Sequence, residues 1–224
     1  MKIGNKAYWG IGAILLAVFV GSFFMGDKPV DRTDLPWHIE HPTPDTTRIF
    51  GLLLGRATAA EAEEHFREEA KASLFKAADG RLVAEIFFEQ VTLAGLRTKI
   101  VVGIAVPAEE LAGMYERGLR VSSTVSGKKI TLAPDDLARL RTLPIASLTY
   151  MPSVRLDEKT IARRFGQPGS RIREKKSGTL HWLYPQHGLD IALGRDDRPV
   201  LQYVPPGHFA ELLQPLQDSG EVLG

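Results

Sequence analysis

The stretch LHWLYPQHGLDIALGRDDRPVLQYV, residues 180–204, contains three short apolar runs separated by turn sequences. The turns are Pro-Gln-His-Gly and Gly-Arg-Asp-Asp, whose residue types favour tight reversals of the chain. Three strands, predicted at 180–184, 189–193 and 200–204 and joined by short turns, indicate an antiparallel meander. In the first strand, Leu180, Trp182 and Tyr184 would share one face of the sheet, because side chains alternate along a strand.

Two histidines lie in this stretch, and histidine is both the commonest metal ligand and a frequent acid or base near neutral pH. His181 takes the strand face opposite Trp182, whereas His187 falls in the following turn. Local geometry therefore does not hold the two rings together. We interpret His181 as a half-buried strand residue and His187 as a solvated turn residue, and a ligand set completed by distant residues stays open.

A capped helix precedes the meander. Asp157 can cap DEKTIARRF, residues 157–165, and Gly166 with Pro168 would stop it. The strand at 171–174 then opens the meander, whose apolar face needs a covering layer. We therefore expect Ile161 and Phe165 to pack on the strand face formed by Leu180, Trp182 and Tyr184.

An earlier segment begins in the same way. Thr58 and Glu61 form a capping box at the start of TAAEAEEHF, residues 58–66, and Ala62 and Phe66 match the apolar pair of the second helix. This similarity suggests two related units. Further strands are predicted at 72–76, 82–88, 98–106, 119–125, 129–132 and 145–151, with helices at 108–117 and 134–141.

Residues 8–25, YWGIGAILLAVFVGSFFM, carry no formal charge. A helix of this length spans roughly 27 Å, close to a bilayer core. The alternative is a cleaved signal peptide, but the apolar run continues past its candidate site at Val20-Gly21-Ser22 and favours a retained anchor. Because Lys2 and Lys6 precede the helix, we expect a single-pass bacterial inner-membrane protein with a cytoplasmic N-terminus and a periplasmic body.

The complete prediction is an α+β fold. It comprises an N-terminal transmembrane helix (1–26), a Pro-rich linker (27–48), a first α+β unit (49–152) and a second α+β unit with a C-terminal helix (153–224), each unit being antiparallel meanders packed with short helices. His38, Glu40 and His41 in the linker are a conceivable metal trio, but no fourth ligand is indicated. We predict no metal site there.

Composition excludes several classes of protein. The chain of 224 residues contains no cysteine, which removes thiol nucleophiles, thiolate metal sites and disulfides. Its net charge is +1, and Lys2 and Lys6 account for the excess. A nucleic-acid partner is not expected, since binding to phosphate backbones needs an excess of clustered basic charge.

The charge is unevenly distributed along the chain. Residues 61–69 are acidic, whereas six basic residues at the end of the second helix and just after it form a candidate interaction surface: Arg163, Arg164, Arg171, Arg173, Lys175 and Lys176. These side chains could meet an acidic partner or anionic headgroups. Alternatively, the six basic side chains form a solvated face, or the acidic segment 61–69 docks on them within the chain.

Residues 156–204 resemble the SmpA/OmlA domain, the small helix-plus-meander domain of BamE-like proteins. The likeness rests on RFGQP at 164–168, the Trp182 and Tyr184 strand, and LDIALGRDDRPVLQYV at 189–204. The resemblance implies a non-catalytic interaction domain in envelope assembly. Without a cysteine the chain has no lipobox, so it would be held in the membrane by residues 8–25 instead.

No motif with a known catalytic mechanism occurs in the chain, and we predict no catalytic residue and no cofactor. The first hypothesis is a non-catalytic assembly factor or accessory subunit that contacts the lipid bilayer through residues 8–25 and binds another envelope protein. The alternative is an anchored periplasmic domain that binds or hydrolyses a small molecule. A cavity with converging polar groups would favour the alternative.

Overall fold

The computed structural model describes residues 31–77, 79–124, 127–194 and 198–223. The chain divides into two compact units, Met1–Asp31 and Arg32–Gly224, and all described residues except Asp31 belong to the second. The anchor predicted for residues 8–25 lies outside the described residues.

Five helices and fourteen strands form the described part of the chain. The helices are α1 (Ala59–Phe66), α2 (Ala108–Glu116), α3 (Pro134–Arg141), α4 (Glu158–Phe165) and α5 (Phe209–Ser219). The first nine strands are β1 (Glu40–Thr43), β2 (Thr46–Ile49), β3 (Leu52–Leu54), β4 (Lys71–Ala77), β5 (Leu82–Leu93), β6 (Leu96–Ile104), β7 (Arg120–Thr124), β8 (Gly127–Thr131) and β9 (Ile145–Pro152). The last five are β10 (Ser170–Glu174), β11 (Leu180–Tyr184), β12 (Leu189–Leu193), β13 (Pro199–Tyr203) and β14 (Gly220–Leu223).

The architecture corrects the predicted fold class. Strands β4 to β14 form one antiparallel sheet of eleven strands in the order β14-β10-β11-β12-β13-β9-β6-β5-β4-β8-β7, and β1 to β3 form a separate three-stranded sheet. The fold is therefore mostly antiparallel β. The two predicted units share the large sheet because β9 pairs with β13 on one side and with β6 on the other.

The predicted location is corrected as well. No helix among the described residues is long and apolar enough to cross a membrane, and the longest, α5, has eleven residues. This finding contradicts the prediction of a single-pass inner-membrane protein with a periplasmic body, and with it the transmembrane part of the predicted fold.

Local sequence explains where the two repeated helices begin. Thr58 and Glu61 cap α1 reciprocally, and the Asp157 carboxylate accepts a hydrogen bond from the Thr160 backbone N–H at 2.7 Å at the start of α4. Each helix leads into a meander that runs toward the centre of the large sheet, β4-β5-β6 after α1 and β10-β11-β12-β13 after α4.

One face of the large sheet carries the main core. Directly paired residues form an apolar row that crosses the junction of the two predicted units: Trp182, Ile191, Leu201, Tyr150, Ile100 and Phe88. Buried residues of the small sheet and of α1 to α4 pack in the same cluster, including Phe50, Ala62, Leu140 and Phe165. As expected, Phe165 contacts Tyr184, with 6.1 Å between ring centroids.

The opposite face is buried at one end only, where α5 covers it. Ile172, Leu183, Val204 and Phe209 form a second apolar cluster, against which Leu212, Leu213 and Leu216 of α5 pack. The meander therefore has two apolar faces at this end, and alternation along the strands predicted only one.

The predicted linker contains ordered secondary structure. Residues 32–34 form a 3-10 turn, and β1 and most of β2 lie before residue 49. The Tyr203 hydroxyl donates to the Pro36 carbonyl at 2.8 Å, and Thr47 is fully buried. Residues 32–48 thus pack on the body, because their backbone and aromatic groups find partners far away in sequence.

Candidate interaction surface

The six predicted basic residues lie on α4, on β10 and in the turn after β10. Arg163 and Arg164 occupy the last turn of α4, and Arg171 and Arg173 lie on β10. Lys175 and Lys176 are exposed in the turn that leads to β11. We call these six residues the basic surface.

Two observations relate α4 to residues of β10. At the end of α4, the Gly166 carbonyl accepts a hydrogen bond from the Tyr184 hydroxyl at 3.1 Å, and the positive charge of Arg171 acts on the same tyrosine. At its start, Thr160 lines a surface cleft together with Arg173. The helix and the strand that carry the four arginines of the basic surface therefore share neighbours in the fold.

Aromatic rings orient two of the guanidinium groups. Arg164 lies over the ring of Trp37 with its Cζ 4.3 Å from the centroid, and Arg171 lies over Trp182 at 4.4 Å. Such stacking contributes about 0.5–1 kcal/mol at an exposed site and restricts the guanidinium to one orientation. Sequence reasoning missed Trp37 as a partner because it lies in the predicted linker.

The basic surface holds uncompensated charge. Within the described ranges, none of its six residues forms an ion pair. Arg173 donates to the Gly178 carbonyl at 3.3 Å, and Glu174, the one acid among residues 163–176, accepts a hydrogen bond from Ser177. Unpaired cations occur elsewhere on the chain, so the density of charge is what distinguishes this surface.

The acidic helix does not neutralise this surface. Glu63 and Glu69 pair with Arg141 of α3, and Glu68 accepts hydrogen bonds from the backbone N–H groups of Glu89 and Gln90. The intramolecular docking that the sequence left open is absent from these described contacts, and the basic surface is free to meet another molecule.

His181 is part of a buried pair on the face covered by α5. Its Nδ1 lies 2.8 Å from Oδ2 of Asp190, and the two residues are 7% and 4% exposed. Burial alone would lower the pKa of His181, but the hydrogen bond and charge of Asp190 raise it above the ordinary value. For Asp190, burial disfavours the charged carboxylate and raises its pKa.

The interpretation of His181 as half-buried is therefore wrong. A polar residue in the run LDIAL was the available signal, since Asp190 lies on the same face as His181 in the next strand. Nδ1 and Oδ2 bond to each other, and His181 Nε2 and Asp190 Oδ1 are buried without a hydrogen-bond partner in the described structure. The pair has the arrangement of a structural contact between two neighbouring strands.

His187 is not a purely solvated turn residue either. Its ring stacks on that of His41 with 6.2 Å between centroids, and His41 Nδ1 lies 3.2 Å from the Thr47 hydroxyl. Burial lowers the pKa of both histidines, and the charge of His187 lowers that of His41 further. Among the described residues no group of three histidine, aspartate or glutamate side chains could hold a metal ion, including the trio at 38, 40 and 41.

Polar side chains line one surface cleft of the described structure. This cleft of about 690 Å³ is lined by side chains that include Glu89, Arg97, Lys99 and Ser153. Its described lining holds no histidine that could serve as a base for the serine hydroxyl.

Comparisons with known proteins give no family for this chain. No protein-family description, no curated protein and no solved structure matches it. The resemblance of residues 156–204 to the SmpA/OmlA domain therefore stays a prediction, and the function is argued from the surface itself.

Proposed function

We propose that this chain is a non-catalytic protein-interaction module, an accessory subunit or assembly factor, that docks an acidic surface of a partner protein on its basic surface. The observation that carries the proposal is the cluster of six basic side chains without an ion pair among the described residues. The resemblance to a domain family of non-catalytic interaction modules agrees with it.

The two stacked arginines support a carboxylate-rich partner. A guanidinium that lies over an indole ring is already restricted in its motion, so it loses less conformational freedom when a carboxylate binds. Arg164 and Arg171 are held in this way. Recognition of nucleic acid is less favoured, because the chain as a whole has a net charge of only +1.

The test uses basic residues that carry no packing contact. The variant Arg163→Glu, Lys175→Glu, Lys176→Glu reverses three charges of the basic surface and leaves both Arg–Trp stacks in place. A matched control, Arg97→Glu, Arg120→Glu, Lys128→Glu, reverses three exposed charges on strands of the other half of the sheet. Both variants should keep the wild-type thermal midpoint, because exposed charges contribute little to stability.

The probe is a fluorescent oligo-glutamate peptide, followed by fluorescence anisotropy. Binding should fall at least tenfold in the first variant, stay unchanged in the control and weaken as salt rises, because exposed charges are screened. Equal affinity of both variants for the peptide would refute the proposal. Tighter binding of a DNA duplex or of anionic vesicles than of the peptide would assign the surface to another class of partner.

A further inference from the structure

The edge of the strand that carries Arg171 and Arg173 is occupied by β14 of the same chain. The two strands are antiparallel, with Glu221 opposite Arg173 and Leu223 opposite Arg171. Side chains that face each other directly in an antiparallel pair interact, and opposite charges there are favourable. β14 therefore places an acid opposite one of the two arginines, without an ion pair among the described contacts, and an apolar residue opposite the other.

The attachment of β14 is short and shallow. It pairs through four residues, Gly220–Leu223, and one further backbone bond joins Lys175 N–H to the Ser219 carbonyl. None of its four residues is buried, and Val222 is 63% exposed. Backbone hydrogen bonds thus supply most of the interactions that attach β14 to the sheet.

The helix before β14 is anchored separately. Leu212, Leu213 and Leu216 of α5 pack on the apolar cluster around Ile172 and Leu183. α5 also contains Pro215, which removes one backbone donor from the helix near its end. β14 can consequently leave the sheet edge while the first turns of α5 stay packed.

Gly220 makes the corner between α5 and β14. A Cβ atom at this position would meet the Ile172 side chain and would lie 2.7 Å from the Leu216 carbonyl oxygen. A larger residue at position 220 therefore requires a shift at the junction of β14 with the end of α5 and with β10. This position therefore offers a substitution that loosens β14 and leaves every basic residue unchanged.

We propose that the edge of β10 is the docking site for an extended acidic segment of the partner, which adds to the sheet as an antiparallel strand in place of β14. The inference rests on the proposed function and names its binding mode. Acids two positions apart would face both Arg171 and Arg173, whereas β14 offers only Glu221. Backbone hydrogen bonds give such an added strand its affinity, and alternate side chains give it specificity.

The probe is a labelled peptide of sequence SGEVEG, which copies residues 219–224 but replaces Leu223 by Glu. It should bind Gly220→Val at least tenfold more tightly than the wild-type chain, because a site that is open only part of the time binds with reduced apparent affinity. The control peptide SGKVKG places lysine opposite both arginines and should not bind. Equal affinity of SGEVEG for Gly220→Val and wild type would overturn the inference.

A second variant tests the same point by locking β14 in place, and the oxidised and reduced forms of one protein are compared. Ile172 and Val222 face each other across β10 and β14, and directly paired strand residues are close enough for a disulfide. The chain has no cysteine, so Ile172→Cys, Val222→Cys introduces its only thiols. The oxidised form should not bind SGEVEG, and reduction of the same sample should restore binding.

The outcomes separate this inference from the proposed function. If oxidised and reduced forms bind SGEVEG equally, but binding still falls in Arg163→Glu, Lys175→Glu, Lys176→Glu, the displacement of β14 is refuted and the basic surface stands. If neither the three charge reversals nor oxidation changes the affinity for SGEVEG, both proposals fail. Arg120→Glu on β7, the other outer strand of the sheet, serves as a control that should change nothing.

Discussion

Replacing His181 by Leu should strongly destabilise the protein, because the substitution leaves the Asp190 carboxylate buried without its partner. The two side chains are 9% and 6% exposed and their bonded atoms are 2.8 Å apart. Breaking a buried charged pair on one side costs about 3–5 kcal/mol. For a unit of this size that loss corresponds to a fall in thermal midpoint of roughly 6–20 °C.

A double-mutant cycle isolates the interaction between the two residues. Asp190→Val should cost less than His181→Leu, about 1–3 kcal/mol, because a histidine can stay neutral when it loses its partner. The double variant should cost only about 0–2 kcal/mol, since two apolar residues replace the pair. Urea unfolding at neutral pH, followed by tryptophan fluorescence, measures all four proteins.

The surface pair of His208 and Glu211 is a matched control. Its bonded atoms are also 2.8 Å apart, but its side chains are 52% and 78% exposed. His208→Leu should therefore change stability by less than about 1 kcal/mol. If His181→Leu costs no more than His208→Leu, or if the two single costs simply add in the double variant, the account of a coupled buried pair is wrong.

The same variant makes a prediction for pH. Burial raises the pKa of Asp190, so the ionised carboxylate is less stable in the folded protein than in the unfolded chain. The destabilisation caused by His181→Leu should therefore shrink as pH falls toward about 4, because the carboxyl becomes protonated. In the wild type, the raised pKa of His181 contributes stability that is complete below about pH 6.5 and is lost at higher pH. A deficit that stays constant from pH 7 to pH 4 would contradict this assignment.

Three further predictions concern packing, protonation and capping. Trp182→Ala should cost about 3–5 kcal/mol in urea unfolding, since the indole is only 2% exposed, and a loss below about 1 kcal/mol would contradict its place in the core. The lowered pKa values of His41 and His187 mean that the unfolded chain binds protons more readily than the folded protein, so stability falls from pH 7 to pH 5. His187→Gln should make this fall in thermal midpoint smaller. An unchanged pH profile would argue against the stacked pair. Thr58→Ala should cost about 1 kcal/mol by removing the cap of α1, and the helix signal in circular dichroism checks that the loss is local.

Short-range chemistry in the sequence determined the local elements. The capping residues Thr58 and Asp157 mark the starts of α1 and α4, as predicted, because a side-chain oxygen satisfies the free N–H groups of a first turn. The strands of the 180–204 stretch begin and end within a residue of the prediction, since their turn residues interrupt each apolar run. These signals depend on neighbours along the chain, so sequence alone contains them.

Only the tertiary structure decided how these elements combine. The pairing of β9 with β13 joins the two halves into one sheet, and α5 buries the second face of the meander. The same packing creates the His181–Asp190 pair and places Trp37 under Arg164. Each of these contacts depends on which helix or strand packs on a given face of the sheet. An alternating sequence pattern specifies the two faces of a strand, but it does not specify the layer that packs on either face.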